Sequence, residues 1–182
     1  MYPVEIESAR LRLREFIPAD VSGVLSIYGD PKATEHLSFE PRDLQQVERM
    51  VTNSIESAHA DPRTEYALAV ATLADNKLVG SARLGLEPHS AGQIGFALHA
   101  ASWGTGLGSE LVHLLLNLGF EHLGLHRIWA ARSPVNTASE QVLLRRGMVE
   151  EGRIRHHVHA HGVWRDSIIH SILEDEWRSS NR

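Results

Sequence analysis

Hydrophobic positions along the chain change period several times, and each change predicts an element. Around Arg10-Leu11-Arg12-Leu13-Arg14 the leucines alternate with arginines, the two-residue period of a half-buried strand, predicted over 9–16. Pro18-Ala19-Asp20 then opens a helix carrying Val21, Val24, Leu25 and Tyr28, which Asp30-Pro31 stops. A second helix is predicted from about 44 to 58, with Val47, Met50, Val51 and Ile55 on one face. Strands follow at 66–73, 78–86 and 93–99, separated by turns at Asp75-Asn76-Lys77 and His89-Ser90-Ala91-Gly92. The period then lengthens again: Leu107, Leu111, Leu114, Leu115 and Leu118 recur at helical spacing, with a helix expected over 109–120. A short strand at 127–132 and a helix at 136–146, closed by Gly147, come next. Two last strands, about 152–159 and 163–173, are joined by a turn at His161-Gly162. The order is strand, two helices, three strands, helix, strand, helix, two strands. It predicts one mixed α/β domain over 1–182, not a doubly wound one.

Composition narrows the function classes. At 182 residues the chain is long enough for one sizeable core. Cysteine is absent, which excludes disulfides, a thiol nucleophile and thiolate metal sites. A net charge of -5 argues against a general nucleic-acid binder, which needs a basic face. No run of eighteen apolar residues offers a membrane span, and the first residues lack the basic and apolar regions of a signal peptide. A cytoplasmic protein is expected. The histidines His156, His157, His159 and His161 cluster near the last hairpin, but His161 falls in the turn and no carboxylate is interleaved. No metal site is expected from them; a solvated face or the lining of a pocket is.

The candidate chemistry centres on Trp103-Gly104-Thr105-Gly106-Leu107-Gly108, between a strand and a helix. Glycines let backbone approach a ligand closely, and the free amides of a helix start attract phosphate. A tight strand-to-helix turn would need the same residues. Dinucleotide and Walker motifs do not fit. The first needs a third glycine where Ser109 stands, and the second needs a lysine that is not nearby.

The loop resembles the pyrophosphate loop of GNAT acetyltransferases, in the Trp-Gly-x-Gly form of the RimJ/RimL-type branch. Further matches are the opening Arg10-Leu11-Arg12-Leu13-Arg14, Gln93-Ile94-Gly95-Phe96 before the loop, and Asn136-Thr137-Ala138-Ser139 followed by Arg146-Gly147-Met148. Trp164-Arg165-Asp166 and Glu176-Trp177 close the series, so the resemblance covers nearly the whole chain.

The resemblance implies a central, mostly antiparallel sheet with two splayed strands, here 93–99 and 127–132, and acetyl-CoA as cosubstrate. It implies that the backbone of Phe96, Ala97 and Leu98 pairs with the pantetheine, and that amides of Trp103, Gly104, Thr105, Gly106, Leu107, Gly108 and Ser109 hold the pyrophosphate. Asn136 would bond the pantetheine, although a plain helix N-cap would use the same residue. The reaction implied is attack of a neutral primary amine on the thioester, with loss of CoA thiolate. Many relatives protonate the sulfur with a tyrosine. Leu143 stands at that position and would border the cofactor, and Ser139 is the branch's replacement. A helix-start serine bonding its own backbone is the alternative for Ser139. Some relatives use a carboxylate on the strand before the loop, where this chain has Gly92 and Gln93, so the base is open among Glu87, His36, His89, His157 and a water chain. The acceptor is expected in a groove between the last hairpin and residues 36–41. It would be a protein N-terminus or a small amine, in a monomer or in a homodimer whose second subunit helps close the groove. A non-catalytic acyl-CoA sensor of the same fold is the competing reading.

Overall fold

A computed structural model describes residues 1–180. Eight strands form one sheet: β1 (Glu5–Glu7), β2 (Leu11–Arg14), β3 (Glu65–Thr72), β4 (Leu78–Glu87), β5 (Ala91–Leu98), β6 (Arg127–Arg132), β7 (Val149–Ala160) and β8 (Val163–Leu173). Their spatial order is β1-β2-β3-β4-β5-β6-β8-β7, and every neighbouring pair is antiparallel except β5 and β6. Helices α1 (Val21–Tyr28), α2 (Pro31–Thr34) and α3 (Leu44–Ser57) precede β3, α4 (Leu107–Asn117) links β5 to β6, α5 (Thr137–Arg145) links β6 to β7, and α6 (Glu174–Ser180) follows β8. Among the described residues no helix is long and apolar enough to cross a membrane.

The alternating strands and the leucine-rich helix make one core. Leu111, Leu114, Leu115 and Leu118 pack on Leu11, Leu13, Leu68, Leu84, Ile94 and Ile128 from strands β2 to β6. Each fully buried leucine stabilises the fold by roughly 1.5–3 kcal/mol relative to exposure. This face therefore carries most of the hydrophobic stabilisation. A smaller cluster of Phe16, Val24, Val47, Val51 and Ala69 fixes α1 and α3 to the other face, near the β3 end.

The predicted strands over 127–132 and 163–173 are reproduced, and the other predicted strands and helices appear with shifted ends. Three short elements went unpredicted. β1 has three residues and a single buried one, Ile6, too few for a visible period. α6 buries only Trp177. α2 has a more instructive cause. Asp30-Pro31, predicted to stop α1, also starts the next helix: Asp30 Oδ1 accepts from the Lys32 amide at 2.9 Å, and Pro31 occupies the first helical position. One signal ends one helix and caps another, and the chain is thereby turned to bring Glu35 and His36 toward the middle of the sheet.

Candidate active site

The two middle strands separate. β5 and β6 pair over four positions, from Ala91–Arg127 to Ile94–Ala130, and no further. Beyond Ile94, β5 continues paired only with β4. The His99 amide donates to the Val79 carbonyl on the β4 side at 2.8 Å. Alternation along the strand then aims the Ala97 backbone groups at β4 and those of Phe96 and Leu98 into the gap. Of the three residues expected to pair with a ligand, Ala97 thus borders the cleft with its backbone committed elsewhere. The Leu98 carbonyl is taken by Trp103 Nε1 at 3.1 Å. The free strand edge consists of the Phe96 amide and carbonyl and the Leu98 amide.

The gap opens into a cleft of about 380 Å³ lined by β5, the glycine loop, α2 with its following turn, and α5. Gly104 and Gly106 have φ of +73° and +84°, a conformation natural to glycine, and Gly106 caps α4 without any side-chain acceptor. The α4 amides of residues 107–109 are therefore without helical partners, and they face the loop. Gly108 has another reason: a Cβ there would stand 3.2 Å from Val142, so its absence lets α4 and α5 approach. Ser109 is buried, and its Oγ accepts from Arg146 Nε at 2.7 Å. Thr105 and Leu107 do not line the cleft: Thr105 Oγ1 donates to the Ser102 carbonyl at 2.7 Å, and Leu107 packs on the core. Trp103, 45% exposed, shields the cleft mouth with Lys32 over its ring.

Across the cleft, Asn136 caps α5, its Oδ1 accepting from the Ser139 amide at 3.0 Å. The side-chain NH2 of Asn136 and the Ser139 hydroxyl have no partner among the described residues, and both residues line the cleft. The capping role and a ligand-binding role coexist in one side chain, since the cap uses the oxygen alone. Leu143 does not border the cleft. It is 1% exposed within the main core, and Val142 and Arg145 face the cleft instead.

Glu87 is not brought to the site either. It ends β4 opposite Ala91, while the gap opens near Phe96, five residues and about 17 Å along the strand. Its Oε2 accepts from Trp129 Nε1 at 2.8 Å, which makes it a clasp at the closed end of the sheet. His89 lies in the turn between β4 and β5 with φ +63°, and His157 sits exposed on β7. His36 is the exception. With Glu35 and Val135 it lines both the cleft and an adjoining cavity of about 600 Å³ walled by Glu40, Trp164 and Arg165. This second cavity lies where the acceptor groove is expected, between the last hairpin and the chain around residues 36–41.

The clustered histidines of that hairpin have separate tasks. His161 turns the hairpin at φ +54°, and its Nδ1 meets Glu40 Oε2 at 2.9 Å. His156 and His159 pack against the Trp164 ring. Asp166 accepts from Arg153 Nε at 2.7 Å and from the His156 amide at 2.8 Å, gathering a bulge in β7.

Two arginines support the cleft in ways the sequence pattern does not disclose. Arg10 donates to the Thr105 carbonyl at 2.9 Å and ion-pairs with Glu110 at 2.8 Å, bracing the glycine loop against β2. Burial alone would raise the Glu110 carboxyl, but bonds from Ser8 and Arg10 outweigh it and hold it below the usual range. Arg132 is buried at the end of β6. It donates to His170 Nε2 at 3.0 Å and to the Pro134 carbonyl at 3.1 Å, and it pairs with Glu140 at the start of α5. It thereby fixes the turn that presents Asn136. Burial, and next the Arg132 charge, lower the His170 pKa and favour the neutral acceptor that this arrangement needs.

Comparison with known proteins bears on the family and the fold. The family model described as an acetyltransferase (GNAT) domain matches residues 10–149. The uncharacterized N-acetyltransferase YoaA of Bacillus subtilis (strain 168) is 24% identical over 178 residues, covering 96% of this chain and 98% of YoaA. Among solved structures, Mycobacterium smegmatis RimJ in complex with CoA-disulfide superposes with a TM-score of 0.82 at 20% identity, over 100% of this chain and 96% of that one. Spermidine N-acetyltransferase from Vibrio cholerae, in complex with CoA and spermine, gives 0.81 at 20% identity, over 94% and 99%.

Proposed function

The chain belongs to the acetyltransferase (GNAT) family, and on that premise we propose that it moves an acetyl group from acetyl-CoA to a primary amine by direct attack on the thioester. The observation that carries this reading is one cleft that joins a free strand edge to a free helix start. Phe96 and Leu98 offer backbone groups to the pantetheine amides, as a strand pairs with an added strand. The unpaired amides at the start of α4 suit the pyrophosphate. Asn136 offers its amide to the pantetheine across the gap.

The chain's own groups divide the proton work. The amine nitrogen forms a bond to the thioester carbon, and the carbon–sulfur bond breaks as the resulting oxyanion collapses. Ser139 gives its hydroxyl proton to the departing sulfur and regains one from solvent in the open cleft. His36, at the junction of cleft and cavity, takes the proton the amine must lose, with Glu35 beside it. An α-amine with a pKa near 8 is already partly neutral at physiological pH, whereas a lysine ammonium near 10.4 needs a stronger base. The site therefore suits α-amines and other weakly basic amines, on proteins or on small molecules.

Release of free CoA thiol from acetyl-CoA, measured against peptides with free N-termini, lysine peptides with blocked N-termini, amino acids and polyamines, tests the reading. Turnover with an amine establishes the transferase. Tight CoA binding with no turnover on any of them would instead favour a sensor.

The Arg10 brace yields a separate expectation. Arg10→Ala or Glu110→Gln should weaken CoA binding by about threefold to tenfold, the scale of one charge-assisted bond in partly exposed surroundings. The Glu110 contribution is present above the unfolded carboxyl range and is lost as pH falls through its depressed folded value. Calorimetric titration with CoA checks the affinity, and unfolding measured from pH 7 downward through the acid range checks the carboxyl; unchanged affinity in both variants would show that the loop holds its shape unaided.

A further inference from the structure

The cavity beside the cleft has an unbalanced charge on a wall that it does not share with the cleft. Arg165, on β8, lines it. Its Nη1 donates to the carbonyls of His36 at 2.9 Å and Leu37 at 3.3 Å. Its Nε is buried without a hydrogen-bond partner. Nη2 bonds nothing among the described residues, and no carboxylate there lies within ion-pair distance of the guanidinium. Every other charge on this wall is either matched or nearer the cleft. Glu40 is engaged through both oxygens by His161, from the backbone amide and from Nδ1. Glu35 lines both cavities and so stands at the amine's end.

A guanidinium loses hydration on burial and regains little from two backbone carbonyls. Burial pushes the Arg165 pKa below its ordinary value with nothing opposing it, in keeping with a cation that lacks a counter-ion. Arginine presents its donors in a planar fork that matches a carboxylate. The cavity thus holds Glu35 and His36, which also line the cleft, and a cation, Arg165, which lines the cavity alone.

Resting on the transferase reading, we infer that the acceptor carries a carboxylate on the same molecule as its amine, and that Arg165 binds that carboxylate while the amine faces the thioester. Two sources share this chemistry: a free amino acid, and a peptide whose first residues include Asp or Glu. A polyamine, with cations throughout, would set a positive charge against Arg165 and is disfavoured.

Matched acceptors decide it. Thiol-release kinetics are compared for an amino acid and its carboxamide, for peptides beginning with Asp or Glu and with Asn or Gln, and for spermidine. In the unaltered protein kcat/KM for the acid should exceed that for its amide by about tenfold to a hundredfold in at least one of the two series, and that series identifies the source. Arg165→Gln should remove the acid-to-amide ratio, chiefly through KM, and Arg165→Lys should retain part of it. Because Arg165 also ties down the chain at His36, loss of that structural role would lower the acid and the amide alike and leave their ratio intact. An absent ratio, a ratio that survives Arg165→Gln, or a preference for spermidine overturns the inference while leaving the transferase standing. Should no amine turn over, the transferase reading fails by itself. Calorimetric binding of acid against amide, with CoA present, then applies the same comparison to the cavity.

Discussion

Gly106→Val is expected to abolish the stabilisation that CoA gives this protein. At about a hundred times its dissociation constant a ligand adds roughly 2.7 kcal/mol. For a domain of this length that corresponds to a rise in melting temperature of about 5–10 °C. Gly106 sits at φ +84° as the cap of α4, and a β-branched residue is strained there by about 1–2 kcal/mol or more. Its Cβ would also stand 3.4 Å from Arg10 Nη2, in the brace that holds the loop. The strain lowers the melting temperature with and without ligand, so the quantity to compare is the difference between the two. The unaltered protein should show the shift with CoA and none with NAD or ATP at equal concentration. A Gly106→Val protein that shifts normally would remove the pyrophosphate from this loop.

Ser139→Ala is expected to lower turnover by about tenfold to a thousandfold with CoA affinity nearly intact. The serine amide is held by Asn136, which fixes the start of α5, while its hydroxyl is free beside the gap. Alanine keeps the amide and deletes only the proton donor, so the helix start should survive. Single-turnover rates with CoA binding measured in parallel separate chemistry from affinity. Equal rates in both proteins would return Ser139 to a helix-start residue and require another source for the sulfur's proton.

Much of this architecture can be read from periodicity, and the cleft from three glycines, an asparagine and a serine. The elements that escape are those too short to show a period, β1, α2 and α6, and α2 is the one that shapes the site. Position in the sequence also misled where three-dimensional direction decides. Glu87 lies close to the loop in sequence but at the opposite end of its strand. Leu143 lies one turn beyond Ser139, yet it is part of the core under α5. Arg10 reads as one of three solvent-side arginines on a strand. Only pairing across about a hundred residues shows that Arg12 serves Glu7, Arg14 serves Asp20, and Arg10 alone reaches the loop. The unmatched charge of Arg165 is likewise invisible in sequence, because a missing partner is a property of the folded surroundings.

The brief contact between β5 and β6 has a mechanical meaning. Eight residue pairs join β4 to β5 and six join β6 to β8, but only four join the two halves of the sheet. The molecule is two half-sheets meeting along a short seam, with the remaining strand edges held open. One core spans the seam beneath, so a ligand filling this opening would stiffen the strand edges along it and add stability in proportion to its occupancy. On the proposed acetyl-CoA reading, resistance to limited proteolysis should rise with the concentration of the cosubstrate.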